Sequence, residues 1–223
     1  MAPFSLTLRV LAHLLRYPDA ELRAHLPELR AALHDERSLS ASRLAELDAL
    51  IARLANRRAL EVEAEHVELF DRGRGTALHL FEHVHGDSRE RGPAMVDLCK
   101  TYEAAGLFLA PGELPDHLTV LLQYASTQPA AQAKALLGEV AHILQVIFSA
   151  LLRREAAHAC VLAALLDLAG AKAQAVAVPN EPELDESWAE PIAFDGCSTQ
   201  GQTQPGQPQP IRIVRSPAQG APA

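Results

Sequence analysis

Three histidines and one glutamate lie close together in residues 78–85, where the sequence is LHLFEHVH. His79, Glu82 and His83 have the spacing H-x-x-E-H, which is the signature of one class of zinc peptidase. On a helix these three side chains would share one face, at a spacing suited to metal ligation. The pattern therefore permits a zinc-dependent hydrolase.

The rest of the chain argues against this zinc site. A peptidase of this class needs a third ligand on a later helix, and Glu139 and Glu155 are available only because glutamate is common. The fold that carries such sites is a large domain of sheet and helix, and a five-residue motif needs that context. We interpret the histidine stretch as the polar face of an amphipathic turn. The sequence therefore predicts no metal, no cofactor and no catalytic residue.

The elements that position this stretch are predicted to be helices. Hydrophobic residues make up 48% of the 223 residues, but aromatic residues make up only 4%. Leucine and alanine, which favour helix, are the main hydrophobic residues. Apolar residues recur three or four positions apart in every long window, and no alternation typical of a strand precedes residue 175. We predict an all-α fold, a single bundle of about eight or nine helices.

Breaks in the pattern divide the bundle. The first helix should stop before Pro18, and Asp19 should cap the second, in which Pro27 would open a fresh first turn. A helix that begins after a cap at Asp87 or Ser88 should bury four residues of its apolar stripe: Met95, Leu98, Tyr102 and Leu107. The other predicted helices are residues 40–58, 59–70, 130–154 and 158–170, of which the last should be central.

The composition changes near residue 178, after which prolines, glutamines and glycines recur. Such a segment cannot bury enough apolar surface to offset its ordering entropy. The sequence thus predicts a helical domain over residues 1–177 and a flexible, Pro/Gln-rich tail over residues 178–223.

Charge and cysteine content exclude several classes of protein. The net charge of −8 argues against a nucleic-acid partner, which would require a basic face, and suits a cationic partner. Three single cysteines predict neither a disulfide framework nor a paired-cysteine metal site. No stretch approaches the roughly 20 uninterrupted apolar residues of a membrane span, and no signal peptide is predicted. We therefore expect a cytoplasmic protein without a membrane anchor of its own.

Two longer stretches resemble a known family. Residues 66–107, from HVELFDRGRG to TYEAAGL, closely resemble the signature region of the respiratory nitrate reductase delta subunit, an assembly chaperone in the wider family of redox-enzyme maturation chaperones. GELPDHLTVLLQYAS, residues 112–126, resembles that family's second motif, and LDESWAEPIAF, residues 184–194, resembles its tail. Two positions depart from the family: His66 stands where tyrosine is usual, and His79 stands where an apolar residue is common.

The resemblance implies an all-helical cytoplasmic chaperone without catalytic activity. Such a chaperone binds the N-terminal leader of the nitrate reductase catalytic (alpha) subunit while molybdenum cofactor and an iron-sulfur cluster are inserted, and is absent from the finished membrane enzyme. The resemblance also permits proteins that deliver the molybdenum cofactor as further partners. Carried over by position, the peptide-binding groove would be lined by Phe70, Asp71, Arg72, Arg74, Phe81, Glu82, His83, His85, Asp87, Arg89 and Arg91 from the first motif, and by Glu113, Asp116 and His117 from the second.

Structural roles are the alternative for several of these residues. Phe70 and Phe81 have the character of core residues, and Asp116 that of a charge at a helix start. Arg89 and Arg91 could serve only to pair with neighbouring carboxylates. For the whole chain, two alternatives to the peptide-binding chaperone stay open: the zinc-dependent hydrolase, and a helical adaptor unrelated to redox enzymes.

Overall fold

The computed structural model describes residues 3–84 and 89–177, and within them the regular structure is helical. An isolated antiparallel bridge joins His79 to His117, and these described residues contain no strand. The prediction of an all-α fold is confirmed. The predicted tail, residues 178–223, lies outside the described residues, and the domain boundary at residue 178 stays a prediction. In chain order the helices are α1 (Ser5–Leu14), α2 (Ala20–Glu36), α3 (Ala41–Asn56), α4 (Ala59–His66), α5 (Leu80–Val84), α6 (Arg91–Ala104), α7 (Leu118–Thr127), α8 (Ala130–Arg153) and α9 (Ala159–Ala169).

The core forms around α9, as its nearly uninterrupted apolar sequence predicts. Val161, Leu162, Leu165 and Leu166 have no exposed surface. Helices α8 and α3 pack against α9, while α1 packs against both α7 and α2. Burial of this leucine-rich interior is the main stabilising contribution, at roughly 25 cal/mol per Å² of apolar surface.

Helix α8 is the one described helix whose length and composition would suffice to cross a membrane. It has 24 residues, and its mean hydropathy reaches 1.8 over an 18-residue window, of which 44% is buried. Leu137, Leu144, Ile147 and Leu151 on its inner face have no exposed surface and belong to the same core cluster as α9. A core helix passes the same test of composition, and the packing of α8 assigns it to the core.

The start of α2 follows the predicted chemistry, and α3 has a similar cap that was not predicted, but the course of α2 differs from the prediction. Asp19 accepts a hydrogen bond from the Leu22 amide at 2.8 Å, and Ser40 accepts one from the Arg43 amide at 3.2 Å. The prediction that Pro27 opens a new turn is wrong, because α2 runs through it. Pro27 lies on the exposed face, where water can solvate the carbonyl that loses its intrahelical donor.

Fewer residues of α6 are buried than its sequence predicted. Tyr102 is its one buried residue, and Met95 and Leu98 are only half-buried. The prediction that Leu107 belongs to its inner stripe is wrong, since α6 ends at Ala104 and Gly106, at φ +75°, takes the left-handed conformation that ends many helices. The predicted caps, Asp87 and Ser88, lie outside the described residues.

Candidate functional site

A short antiparallel bridge holds the two predicted motifs side by side. The Leu80 amide donates to the Asp116 carbonyl at 3.0 Å, and the Leu118 amide donates to the Leu78 carbonyl at 2.8 Å. This pairing fixes the start of α5 beside the start of α7, although 37 residues separate His79 from Asp116. The two motifs therefore form one surface.

Asp116 is the buried centre of this junction. Its side chain has no exposed surface, and its Oδ2 accepts a hydrogen bond from the Phe81 amide at 3.2 Å. Its Oδ1 lies 3.4 Å from His79 Nδ1, and Arg91 Nη2 approaches Oδ2 to 3.7 Å. Asp116 also lies where a helix-start charge is expected, since its carboxylate accepts from an amide in the first turn of α5 and α7 begins two residues after it. A buried carboxylate requires such partners, and Asp116 thereby ties α5 and α6 to the second motif.

Proton affinities in the cluster follow from these contacts. The hydrogen bond to Asp116 raises the pKa of His79, although partial burial acts against it. Burial alone would raise the pKa of Asp116, but His79, the Phe81 amide and Arg91 together lower it. The neighbouring His117 ring, 4.9 Å from His79 between centroids, has a pKa lowered to about 4 by burial and by His79. Of this pair, His79 is therefore the histidine whose protonated form is favoured.

The three residues of the H-x-x-E-H pattern do not converge on one point. His79 precedes α5 and faces Asp116, whereas His83 Nε2 donates to the Ala77 carbonyl at 2.9 Å. Glu82 Oε1 lies 3.7 Å from Arg91 Nη2. In residues 3–84 and 89–177, no three histidine, cysteine, aspartate or glutamate side chains are arranged to hold a metal ion. The arrangement gives the zinc hydrolase no ligand set.

The two phenylalanines of the predicted groove have different environments. Phe70 is 5% exposed and lies between two buried histidines, with ring centroids 4.9 Å from His66 and 5.4 Å from His158. His66 Nε2 donates to the Leu15 carbonyl at 3.3 Å, so this stack belongs to the interior. Phe81 is half-buried at the junction itself. Of the two aromatic rings, Phe81 is the one a ligand could reach.

The loop after α4 carries three more predicted residues and a contact that the sequence did not reveal. A π-helical turn, Val67–Asp71, extends α4, and a 3-10 turn, Arg74–Thr76, follows it. A Cβ at Gly73 would lie 2.6 Å from Thr76 Oγ1 and 2.7 Å from Arg154 Nη2, and Arg154 Nη1 donates to the Glu68 carbonyl at 3.0 Å. A larger residue at this position would require Thr76 and Arg154 to shift. The loop presents three exposed side chains: Asp71, Arg72 and Arg74.

The remaining predicted residues are spread around the junction. Glu113 is exposed at the rim of a cleft beside α1, and Arg89 is exposed just before α6. Tyr102, which the sequence assigned only to the core, donates from its hydroxyl to the Pro115 carbonyl at 2.9 Å and so fixes α6 to the second motif. His85 and Asp87 lie outside the described residues.

Comparison with known proteins identifies the class to which this helical scaffold and its two joined motifs belong. The family model of the nitrate reductase delta subunit matches residues 15–159. The chain belongs to the nitrate reductase delta subunit family, which confirms the resemblance seen in the sequence.

Three relatives show the breadth of the match. The nitrate reductase molybdenum cofactor assembly chaperone NarJ of Escherichia coli (strain K12) is 42% identical over 160 residues, which cover 72% of this chain and 68% of the relative. The probable assembly chaperone NarW of the same strain is 40% identical over 179 residues, 80% of this chain and 74% of the relative. The probable NarJ chaperone of Bacillus subtilis (strain 168) is 28% identical over 162 residues, 72% of this chain and 86% of the relative. These relatives are chaperones, and the chain is a chaperone of this family, not an enzyme.

Proposed function

We propose that this chain is a cytoplasmic assembly chaperone for a respiratory nitrate reductase, and that it binds the N-terminal leader of the catalytic (alpha) subunit. It holds that subunit ready for insertion of molybdenum cofactor and an iron-sulfur cluster before membrane attachment, and it is not part of the finished enzyme. Proteins that deliver the cofactor are further partners. The observation that carries the proposal is the junction of the two family motifs through Asp116.

The leader contacts the surface of this junction, and Asp116 acts from beneath it. The resemblance places Asp116 in the lining of the groove, but its side chain has no exposed surface and cannot contact the leader directly. Its role is to position α5, whose Phe81 and Glu82 are half-buried and reach the surface. Asp116 is therefore a positioning residue, and α5 supplies the contacts.

Glu82 is suited to bind a basic leader. Its contact with Arg91 at 3.7 Å is long for a charge-assisted hydrogen bond, and the Glu82 side chain keeps 35% of its surface exposed. A leader cation can replace Arg91 at Glu82, because Arg91 keeps Asp116 as a partner. Phe81 offers apolar surface beside this charge, as expected for the groove of a short amphipathic helix.

The test is calorimetric titration of the catalytic subunit's N-terminal peptide into the full chain. Glu82→Gln should weaken binding by about tenfold, corresponding to roughly 1.4 kcal/mol. Glu28→Gln is the matched control, since it removes the same charge from an exposed residue of α2. Binding by Glu82→Gln that equals wild type at every ionic strength, with the fold intact, would place the leader elsewhere on the bundle.

A further inference from the structure

The cleft beside α1 lies between α1, α7 and the segment of residues 107–110. Its volume is about 410 Å³, within the range of pockets that hold ligands. One wall is basic and is formed by Arg9, His13 and Arg16 of α1. The opposite wall is apolar and aromatic, and includes Leu107, Phe108, Leu109, Val120 and Tyr124.

The basic wall follows from the sequence of α1. Residues 9, 13 and 16 fall four and three positions apart, so their side chains share one helix face. Arg9 Nε donates to the Ser126 hydroxyl at 3.2 Å, and in the described part of the chain neither Arg9 nor Arg16 has a carboxylate within salt-bridge distance. Glu113, which is exposed, is the acidic residue that lines the cleft. Arg9 and Arg16 therefore give this wall positive charge, on a chain whose net charge is −8.

The apolar wall includes the most exposed large hydrophobic side chain of the described residues. Phe108 is 81% exposed, although its neighbours Leu107 and Leu109 are half-buried. Gly106 and Gly112 flank this segment at φ +75° and φ +88°, in the left-handed conformation. The backbone is thereby shaped to keep Phe108 at the surface, beside the cleft.

We propose that this cleft binds an acidic, amphipathic segment of a partner polypeptide. Carboxylates of the segment pair with Arg9 and Arg16, and an aliphatic or aromatic side chain packs against Phe108. A small inorganic anion would use the arginines alone and leave the apolar wall uncovered. A basic peptide would be repelled by the same arginines. The proposal does not rest on leader binding, which we assign to Phe81 and Glu82 at the motif junction.

A designed peptide tests the proposal on the full chain. The probe is a fluorescein-labelled peptide of about eight residues, in which glutamates and aspartates surround two leucines and one tryptophan, and the readout is fluorescence anisotropy. We expect saturable binding, weakened about tenfold or more by the double variant Arg9→Gln/Arg16→Gln and about fivefold by Phe108→Ser. The matched control Arg30→Gln/Arg58→Gln removes two exposed arginines outside the cleft and should leave binding unchanged.

Several outcomes would overturn the proposal. These are no saturable binding, equal binding of a charge-reversed peptide with lysines, or equal loss in the control variant. Full displacement by millimolar inorganic phosphate, with no effect of Phe108→Ser, would instead indicate a simple anion site. Calorimetry of the leader peptide with Arg9→Gln/Arg16→Gln should give unchanged affinity, so failure here is distinguishable from failure of the leader proposal.

Discussion

Replacing Asp116 by asparagine probes the junction between the two motifs. The amide has nearly the same shape and keeps one oxygen for the Phe81 amide at 3.2 Å, but it loses the charge that pairs with His79 and Arg91. Hydrogen bonds to charged groups contribute roughly 1.5–3 kcal/mol each when well formed. Because the contacts here are 3.2, 3.4 and 3.7 Å long, we expect a total loss of about 2–3 kcal/mol in the free energy of unfolding.

The loss should depend on pH in a defined direction. The pKa of His79 is raised above 6.5 in the folded protein. The stabilisation that protonated His79 gives the folded state is therefore complete below pH 6.5 and disappears as pH rises through the raised pKa. The pKa of Asp116 is lowered from 3.8, so its contribution is present above pH 3.8 and disappears on further acidification. The difference between wild type and Asp116→Asn should therefore be largest between these two values, near pH 5, and smaller near pH 9.

Urea denaturation at several pH values measures this difference, and an NMR titration of the His79 ring measures its pKa directly. In Asp116→Asn the His79 pKa should fall, because its main stabilising partner is gone. Asp97→Asn is the control, since its pair with Lys100 is highly exposed and should contribute less than about 1 kcal/mol. If the His79 pKa and the stability of Asp116→Asn both match wild type, the reasoning about the buried cluster is refuted.

Three further predictions concern the scaffold. Gly73→Ala should lower the free energy of unfolding by about 1–3 kcal/mol, because the new methyl group meets Arg154 and Thr76. Gly138→Ala in α8 is the control and should be neutral or stabilising, because there is open space at that position, and equal effects of the two variants in thermal denaturation would contradict the loop geometry. Burial lowers the pKa of His158 to about 3, so the free energy of unfolding should fall as pH falls below 6.5, where the ring is protonated in the unfolded chain. In urea titrations His158→Phe should reduce this pH dependence, and an unchanged pH dependence would contradict the assignment. Tyr102→Phe should cost about 1 kcal/mol in the same assay, since the Pro115 carbonyl loses its donor, and a stability equal to wild type would show that this bond does not hold α6.

Helical periodicity was sufficient to predict the fold class and most helices. The spacing of apolar residues located α1, α3 and α8, a nearly continuous apolar run located α9, and a short polar side chain located the cap of α2. These signals act within a few residues along the chain. Pro27 was misjudged because a single proline on an exposed face is tolerated when the helix's leucines are buried. The stripe of α6 was misjudged because packing partners, not spacing, decide which apolar residues are buried.

The motif residues of the site could be proposed from the sequence, but their arrangement could not. No local pattern indicates that Asp116 bonds to an amide 35 residues earlier, or that His79 faces Asp116 rather than His83. The same holds for Arg154 at Gly73, which lies 81 positions away in the sequence. Such contacts depend on tertiary packing, which the spacing of residues along the chain does not reveal.

Hydrogen-exchange mass spectrometry of the full chain, with and without the catalytic subunit's N-terminal peptide, tests leader binding at the motif junction most directly. The Leu80 and Leu118 amides form the bridge between the motifs, and the Phe81 amide donates to Asp116. Leader binding over this junction should slow exchange in peptides covering residues 78–84 and 113–118, and this slowing should be reduced in Glu82→Gln at the same peptide concentration. Unchanged exchange in both segments under saturating leader, with slowing elsewhere on the bundle, would contradict the proposed site.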